Sequence, residues 1–279
     1  MTVRRYLQLD VFADRPGAGN PLGVVLDASG MEADAMQAYA TWANLSETIF
    51  FLPPTVAGAD YRVRIFTPRQ ELPFAGHPSV GAAWAALDTG LAHAKEGMLV
   101  QECAAGLLPI RIEQRDAMDL IHVRAPRARE VETESIHAEA LASALHALPR
   151  GGLAPALWNN GPSWWLVELR DAAAVRAMRP DLPAIAALTT VSNAVGLAVF
   201  GRADDSDHDL AVRAYCPADG IPEDPVTGSA NASIAALLHH AGALPGANGR
   251  YLASQGREMG RDGRVEVQVD HESEVWIGG

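Results

Sequence analysis

The chain carries only two cysteines, Cys103 and Cys216, too few and too isolated for a metal-binding spacing or a disulfide framework. No apolar run reaches membrane-spanning length. The opening stretch, MTVRRYLQLDVF, has basic residues but lacks the apolar core of a signal peptide before its first strand pattern. Basic residues are outnumbered, 22 Lys and Arg against 34 Asp and Glu, for a net charge of -12. That field repels nucleic acid and anionic membranes, although a local site can still attract a small anion. Gly151-Gly152 matches no phosphate loop, and no serine lies in a Gly-x-Ser-x-Gly elbow. These absences predict a soluble cytoplasmic protein with neither nucleic acid nor membrane as partner.

What is present is ample apolar material: 279 residues, 48% hydrophobic and 20% charged, enough for two domains. Two-residue alternation predicts strands at Tyr6–Phe12, Gly23–Leu26, Thr48–Leu52 and Tyr61–Phe66, and again at Leu107–Ile112 and Leu120–Val123. Helical spacing predicts helices at Met31–Ala43, Val80–Leu87 and Glu134–Leu145. The polar segment Ala125–Arg129 reads as a linker, giving domains 1–126 and 127–279.

The second half repeats the first. Arg64-Ile65-Phe66-Thr67-Pro68 is echoed by Arg213-Ala214-Tyr215-Cys216-Pro217, and His77-Pro78-Ser79-Val80-Gly81 by Asp224-Pro225-Val226-Thr227-Gly228. Gly19-Asn20-Pro21 resembles Asn160-Gly161-Pro162, and Gln101 resembles Gln255. The features keep their order at a spacing of about 150 residues, which predicts a duplicated α/β unit with a pseudo-twofold relation and a cleft between the copies.

Each copy places an X-Pro turn before a small-residue helix. Proline suits a helix's first turn, and the first N–H groups there lack intrahelical partners. With the dipole they form a ready anion site, which Gly76, Gly81 and Gly228 would let a carboxylate approach closely. His77 and Asp224 are the matched ionisable pair; capping by Asp224 and Ser79 is the plainer use of those residues. Glu47 stands among Leu45, Ile49, Phe50 and Phe51. It is either at an exposed strand edge or desolvated, and desolvation would raise it toward the range of a general acid/base. The aligned stretch Ser192–Val195 has no acid, so the fold does not require one.

Asp207-His208-Asp209 reads as a solvated loop within the polar run 202–209 rather than a metal site. His239-His240 suit the negative end of a helix. Trp164-Trp165 opens a strand, one ring packing and the other facing a cleft. Cys216 packs at a strand end.

Leu9-Asp10-Val11-Phe12 with Gly19–Leu22, Asn44–Thr48, Phe74–Pro78, Glu223–Ala230 and Ser254-Gln255-Gly256 with Gly260-Arg261 together resemble the PhzF-like family of phenazine biosynthesis. The resemblance spans nearly the whole chain. It implies an α+β, diaminopimelate epimerase-like fold: two pseudo-symmetric halves, each a curved mixed sheet around a central helix, with the active site between them. It implies Glu47, His77 and Asp224 as catalytic residues, and Gly76, Ser79, Gly228, Ser229 and Asn20 as substrate-binding. The best-known activity of the family isomerises trans-2,3-dihydro-3-hydroxyanthranilate, without metal or organic cofactor, in a homodimer. Family members often continue for another strand beyond the equivalent of Val275–Gly279, which leaves the pairing of the last strand open.

The expected function is therefore an isomerase that moves a proton on a small carboxylate. A single base would give a hydrogen shift. A two-acid epimerase is the alternative, and a carboxylate-binding protein without turnover is the non-enzyme alternative. A two-thiol racemase is not expected, since the cysteines lie away from the matching positions.

Overall fold

A computed structural model describes residues 3–115, 119–204 and 207–279. The chain divides into two compact units, 1–124 with 278–279, and 125–277. Gly278 and Gly279 thus fall with the first half, contrary to a division into 1–126 and 127–279. The reason is local: the backbones of Ile121 and Gly279 exchange hydrogen bonds in both directions.

In the first unit β1 (Tyr6–Val11) pairs antiparallel with β2 (Asn20–Val25), and β2 runs parallel to β3 (Glu47–Leu52). The crossover between them is α1 (Ala33–Ala43). β3 pairs antiparallel with β4 (Tyr61–Phe66), which borders the short β5 (Glu71–Leu72) and runs parallel to β6 (Met98–Cys103). β7 (Gly106–Glu113) and β8 (Leu120–Arg124) extend the sheet by antiparallel pairing. The second crossover is α2 (Gly76–Asp88), which packs against strands β1 to β4, β6 and β8. A helix enclosed this way needs small residues on every side. Ala82, Ala83, Ala85 and Ala86 are fully buried, and a Cβ on Gly81 would lie 2.5 Å from the Leu22 side chain. Gly81 therefore serves helix–strand packing, not the ligand approach that its sequence context suggested.

The second unit repeats this topology. After β9 (Arg129–Val131) and α3 (Ile136–Ala144), β10 (Ala156–Asn159) pairs antiparallel with β11 (Ser163–Glu168). α4 (Ala172–Ala177) and α5 (Leu182–Val191) then lead to β12 (Gly196–Arg202), parallel to β11. β13 (Leu210–Cys216) pairs antiparallel with β12 and with β14 (Ile221–Asp224), and parallel with β15 (Arg250–Gln255). β16 (Gly263–Val269) pairs with β15, and β17 is Val275–Gly278. The central helix is α6 (Gly228–His240), 13 residues long like α2.

The repeat extends to side chains. Arg64 on β4 makes a two-pronged pair with Glu71 at 2.6 and 2.7 Å and lies over the Phe66 ring. Arg213 on β13 does the same with Glu223 at 2.8 and 2.9 Å, over Tyr215. In the second pair Arg213 is buried and Glu223 half-buried, and Arg213 also donates to the carbonyls of Val175 and Met178. Such acceptors satisfy a guanidinium removed from water.

The register makes Glu47 and Gly196 equivalent: each opens its strand, opposite Leu22 and Trp164 respectively. At Gly196 a Cβ would stand 2.4 Å from the Trp164 ring and 2.5 Å from the Tyr215 carbonyl. The second unit thus fills with an indole the space beside the position where the first carries an acid. Gly196→Ala is expected to lower the unfolding free energy by about 2 kcal/mol, the usual cost of overpacking. Gly152→Ala, whose Cβ would meet only a side-chain tip at 3.9 Å, should change it by less than about 0.5 kcal/mol in the same urea titration.

Candidate functional site

Glu47 is placed by the end of α1. Asn44 caps that helix in the left-handed region, φ 51°, a conformation that asparagine tolerates, and its N–H bonds the Ala40 carbonyl. The chain then turns into β3 with Glu47 as its first residue. The Glu47 side chain is 15% exposed, so it is not at an open strand edge. Its Oε2 lies 3.2 Å from Nε2 of His77.

His77 is the second residue of α2 and is buried. Burial pushes its pKa from 6.5 down to about 3, because the interior penalises the imidazolium. At neutral pH the imidazole is uncharged, and the close approach to Glu47 is a contact of a carboxyl group with a neutral ring. Nε2 makes no hydrogen bond of standard geometry, although it lies within reach of Glu47 Oε2.

The amino end of α2 carries no capping side chain; Ala75 is its N-cap. Pro78 has no N–H, and the Ser79 N–H bonds the Ala75 carbonyl. Gly76 and His77 hold the N–H groups left without a partner in the helix itself. Ser79 is corrected by its geometry: fully buried, its hydroxyl donates to the Ala75 carbonyl at 2.9 Å and accepts from Gln101 Nε2 at 2.9 Å. It shapes the helix end from inside rather than meeting a substrate. Asn20, the first residue of β2, is fully buried.

In the second unit the N-cap of α6 is Thr227, again without a side-chain cap bond. The helices α4 and α5, by contrast, are capped by Asp171 and Asp181. Asp224 ends β14, three residues ahead of the N-cap position of α6, which is Thr227. Aligning the equal-length helices pairs Gly76 with Gly228, Ser79 with Asn231, and His77 with Ser229. The pairing of His77 with Asp224 is therefore overturned. His-Pro lies inside the first turn of α2, whereas Asp-Pro ends a strand ahead of α6, so matching the prolines shifts the register.

Ser229 is held from two sides. Trp164 Nε1 donates to its hydroxyl at 3.1 Å, and Asn160 Nδ2 donates to its carbonyl at 2.9 Å. Trp164 and Trp165 are both buried, Trp165 Nε1 bonding Ser192, so neither ring faces an open cleft.

The two glutamines noted in the repeat prove to be matched buttresses. Gln101 reaches Ser79, and Gln255 accepts from Asn231 Nδ2 at 3.1 Å. Ser79 and Asn231 in turn bond the N-cap carbonyls of Ala75 and Thr227. Sequence spacing showed the pair of glutamines but not their partners, which lie 22 and 24 residues away along the chain.

Elsewhere, Asp207 pairs with Arg257 and Arg264, so it joins an ion-pair cluster; residues 205 and 206 of that polar run lie outside the described residues. Among the described residues no group of three or more His, Cys, Asp and Glu side chains is placed to hold a metal ion. Cys103 and Cys216 are buried, form no disulfide, and stand at the ends of β6 and β13. Among the described residues no helix is long and apolar enough to cross a membrane.

The family model described as phenazine biosynthesis-like protein matches residues 9–279. A trans-2,3-dihydro-3-hydroxyanthranilate isomerase from Pseudomonas aeruginosa is 34% identical, over 96% of this chain and 91% of its own. An uncharacterised isomerase from Mesorhizobium japonicum is 35% identical, over 96% and 91%. Among solved structures, a PhzF-family phenazine biosynthesis protein from Bacillus anthracis aligns with TM-score 0.83 and 28% identity, covering 98% of this chain and 94% of that one. A proline racemase from Agrobacterium radiobacter aligns with TM-score 0.69 at 14% identity, covering 99% and 90%, a likeness of fold alone. By sequence and by fold, the chain belongs to the phenazine biosynthesis-like PhzF family and is an isomerase.

Proposed function

We propose that this isomerase moves a proton on a small carboxylic acid, with Glu47 taking and returning the proton and no metal or organic cofactor taking part. The observation that carries the reading is the approach of Glu47 Oε2 to Nε2 of a buried neutral imidazole, 3.2 Å away, at an uncapped helix end. A fixed cation at that distance would hold the carboxylate charged. A neutral ring does not, so Glu47 can carry the proton between the two carbons of a hydrogen shift. His77 orients the carboxyl group without opposing either of its forms.

The N–H groups of Gly76 and His77 supply donors for a substrate carboxylate, strengthened by the dipole of α2. Asn20 lines the same half of the protein as a binding residue. In the second unit we assign substrate binding to Gly228 and Ser229 and acid assistance to Asp224. Relatives are named for the isomerisation of trans-2,3-dihydro-3-hydroxyanthranilate, which makes that acid the first compound to test. A cytoplasmic homodimer completes the proposal, and light scattering reads its mass directly.

Proton–deuterium exchange in D₂O, followed by NMR over a panel of small acids that includes this compound, tests the reading. Exchange should fall at least about 100-fold in Glu47→Gln, the usual contribution of a positioned acid/base, and should be unchanged by EDTA. Undiminished exchange in the variant would remove Glu47 from the mechanism.

The buried imidazole also sets a stability dependence. The folded-state value of His77 lies below its unfolded value of 6.5, so the two states bind equal numbers of protons above that pH. As pH falls from 6.5 toward 3, the unfolded chain takes up a proton that the folded state refuses, and stability is lost. The slope approaches about 1.4 kcal/mol per pH unit. His77→Gln lacks this dependence, so its stability deficit relative to wild type should shrink as urea titrations move from pH 7 to pH 4. A deficit that stays constant would assign the acid sensitivity to other groups.

A further inference from the structure

The amide of Gln255 is fully buried, and its orientation is dictated by a group with only one possible role. The backbone N–H of Thr227 can only donate, and it points at Gln255 Oε1, 3.0 Å away. Asn231 Nδ2 reaches the same oxygen at 3.1 Å and is itself fixed as a donor by the Thr227 carbonyl at 2.9 Å. Gln255 Nε2 is thereby a donor. It gives one hydrogen to the Asp224 carbonyl at 3.0 Å and the other to Thr227 Oγ1 at 2.8 Å. A threonine hydroxyl has one hydrogen. Having accepted from Gln255, Thr227 directs that hydrogen to Asp224 Oδ2, the acceptor beside it.

Every polarity in this chain follows from one peptide N–H. We propose that Gln255, acting through Thr227, is a positioning residue that commits Asp224 Oδ2 to accepting, so that Asp224 takes up and releases its proton through Oδ1 alone. The inference rests on the reading of Asp224 as an acid in the reaction and says which oxygen does the work. When a substrate hydroxyl or ammonium gives a proton to Asp224, the new O–H bond forms at Oδ1 and the donor keeps the electron pair. The same proton leaves from Oδ1 on the return. Thr227 keeps its own hydrogen throughout and serves as a brace rather than a relay of protons. The first unit lacks the device: Gln101 meets Ser79 where Gln255 meets Asn231 and Thr227, and Ala75 stands at the N-cap position of Thr227. The arrangement therefore belongs to the half of the repeat that carries Asp224.

Thr227→Val removes the hydroxyl at nearly constant volume, and Thr227→Ser keeps it. Two measurements separate the outcomes. In ¹H–¹⁵N spectra of the free protein, one Gln255 side-chain amide proton should move upfield in Thr227→Val, having lost its acceptor, and stay in place in Thr227→Ser. With trans-2,3-dihydro-3-hydroxyanthranilate as probe, Thr227→Val should lower kcat about tenfold with KM within about twofold, the mark of an aim lost rather than a binding contact. Thr227→Ser should recover the rate. A folded Thr227→Val with unmoved amide resonances and wild-type kcat overturns the proposal, as does an equal loss in the valine and serine variants, which would assign Thr227 to packing. If the wild type leaves the probe unchanged, that substrate assignment fails, and the amide signature alone decides whether the brace exists.

Discussion

Two buried helices whose amino ends carry no capping side chain are the constraint around which this protein is organised. A helix needs partners for its first N–H groups; in α4 and α5 aspartates supply them, at Asp171 and Asp181, while the more exposed α1 and α3 also carry no side-chain cap. At Gly76 and Gly228 they are not supplied. A helix end left this way has to be held by other means, and each unit holds it with a buried glutamine reaching the first turn from a neighbouring strand. Gln101 holds the Ser79 hydroxyl of its turn, and Gln255 holds both the Thr227 N–H and the Asn231 amide of its own.

The side chains set on that frame differ between the two units, and the difference is where chemistry enters. The first unit places a carboxyl group against a desolvated imidazole. The second places an indole against a serine hydroxyl and a threonine against a carboxylate. Backbone topology, the Arg–Glu clamp on the fourth strand of each repeat and the glutamine buttress are shared. Symmetry supplies two matching helix ends, and its local violation supplies a carboxyl group beside a buried imidazole in one of them.

Most of the scaffold was legible in the sequence because it is written in short-range patterns. The strand at Tyr61 alternates, the one at Thr48 is a short apolar run buried on both faces, the motif Asn44–Thr48 announces a helix end followed by a strand, and the order of the repeat survives in a handful of dipeptides. What escaped notice has a common physical cause. The helices α4 and α5 are short, and α5 is apolar on nearly every side, so no periodicity marks them. The strand pairs β4–β5 and β13–β14 are only a few residues long. The match of His77 to Asp224 failed because a proline was taken as the anchor, while the real anchor is where the helix begins. Ser79 looked like a contact residue because its hydroxyl is invisible to spacing; only the fold shows that both its bonds are internal. The roles of Gln101 and Gln255 depend on partners more than 20 residues away, beyond the reach of any local rule.

Gly196 and Trp164 carry a lesson about the history open to such a repeat. An acid cannot be introduced at Gly196 while the indole occupies the space, and removing the indole first empties a packed site and deprives Ser229 of its donor. Each step alone is unfavourable, and only the pair together would restore equivalence between the halves. The asymmetry is therefore held by coupled packing: neither Gly196 nor Trp164 can be changed singly toward the first unit's arrangement without a cost in stability.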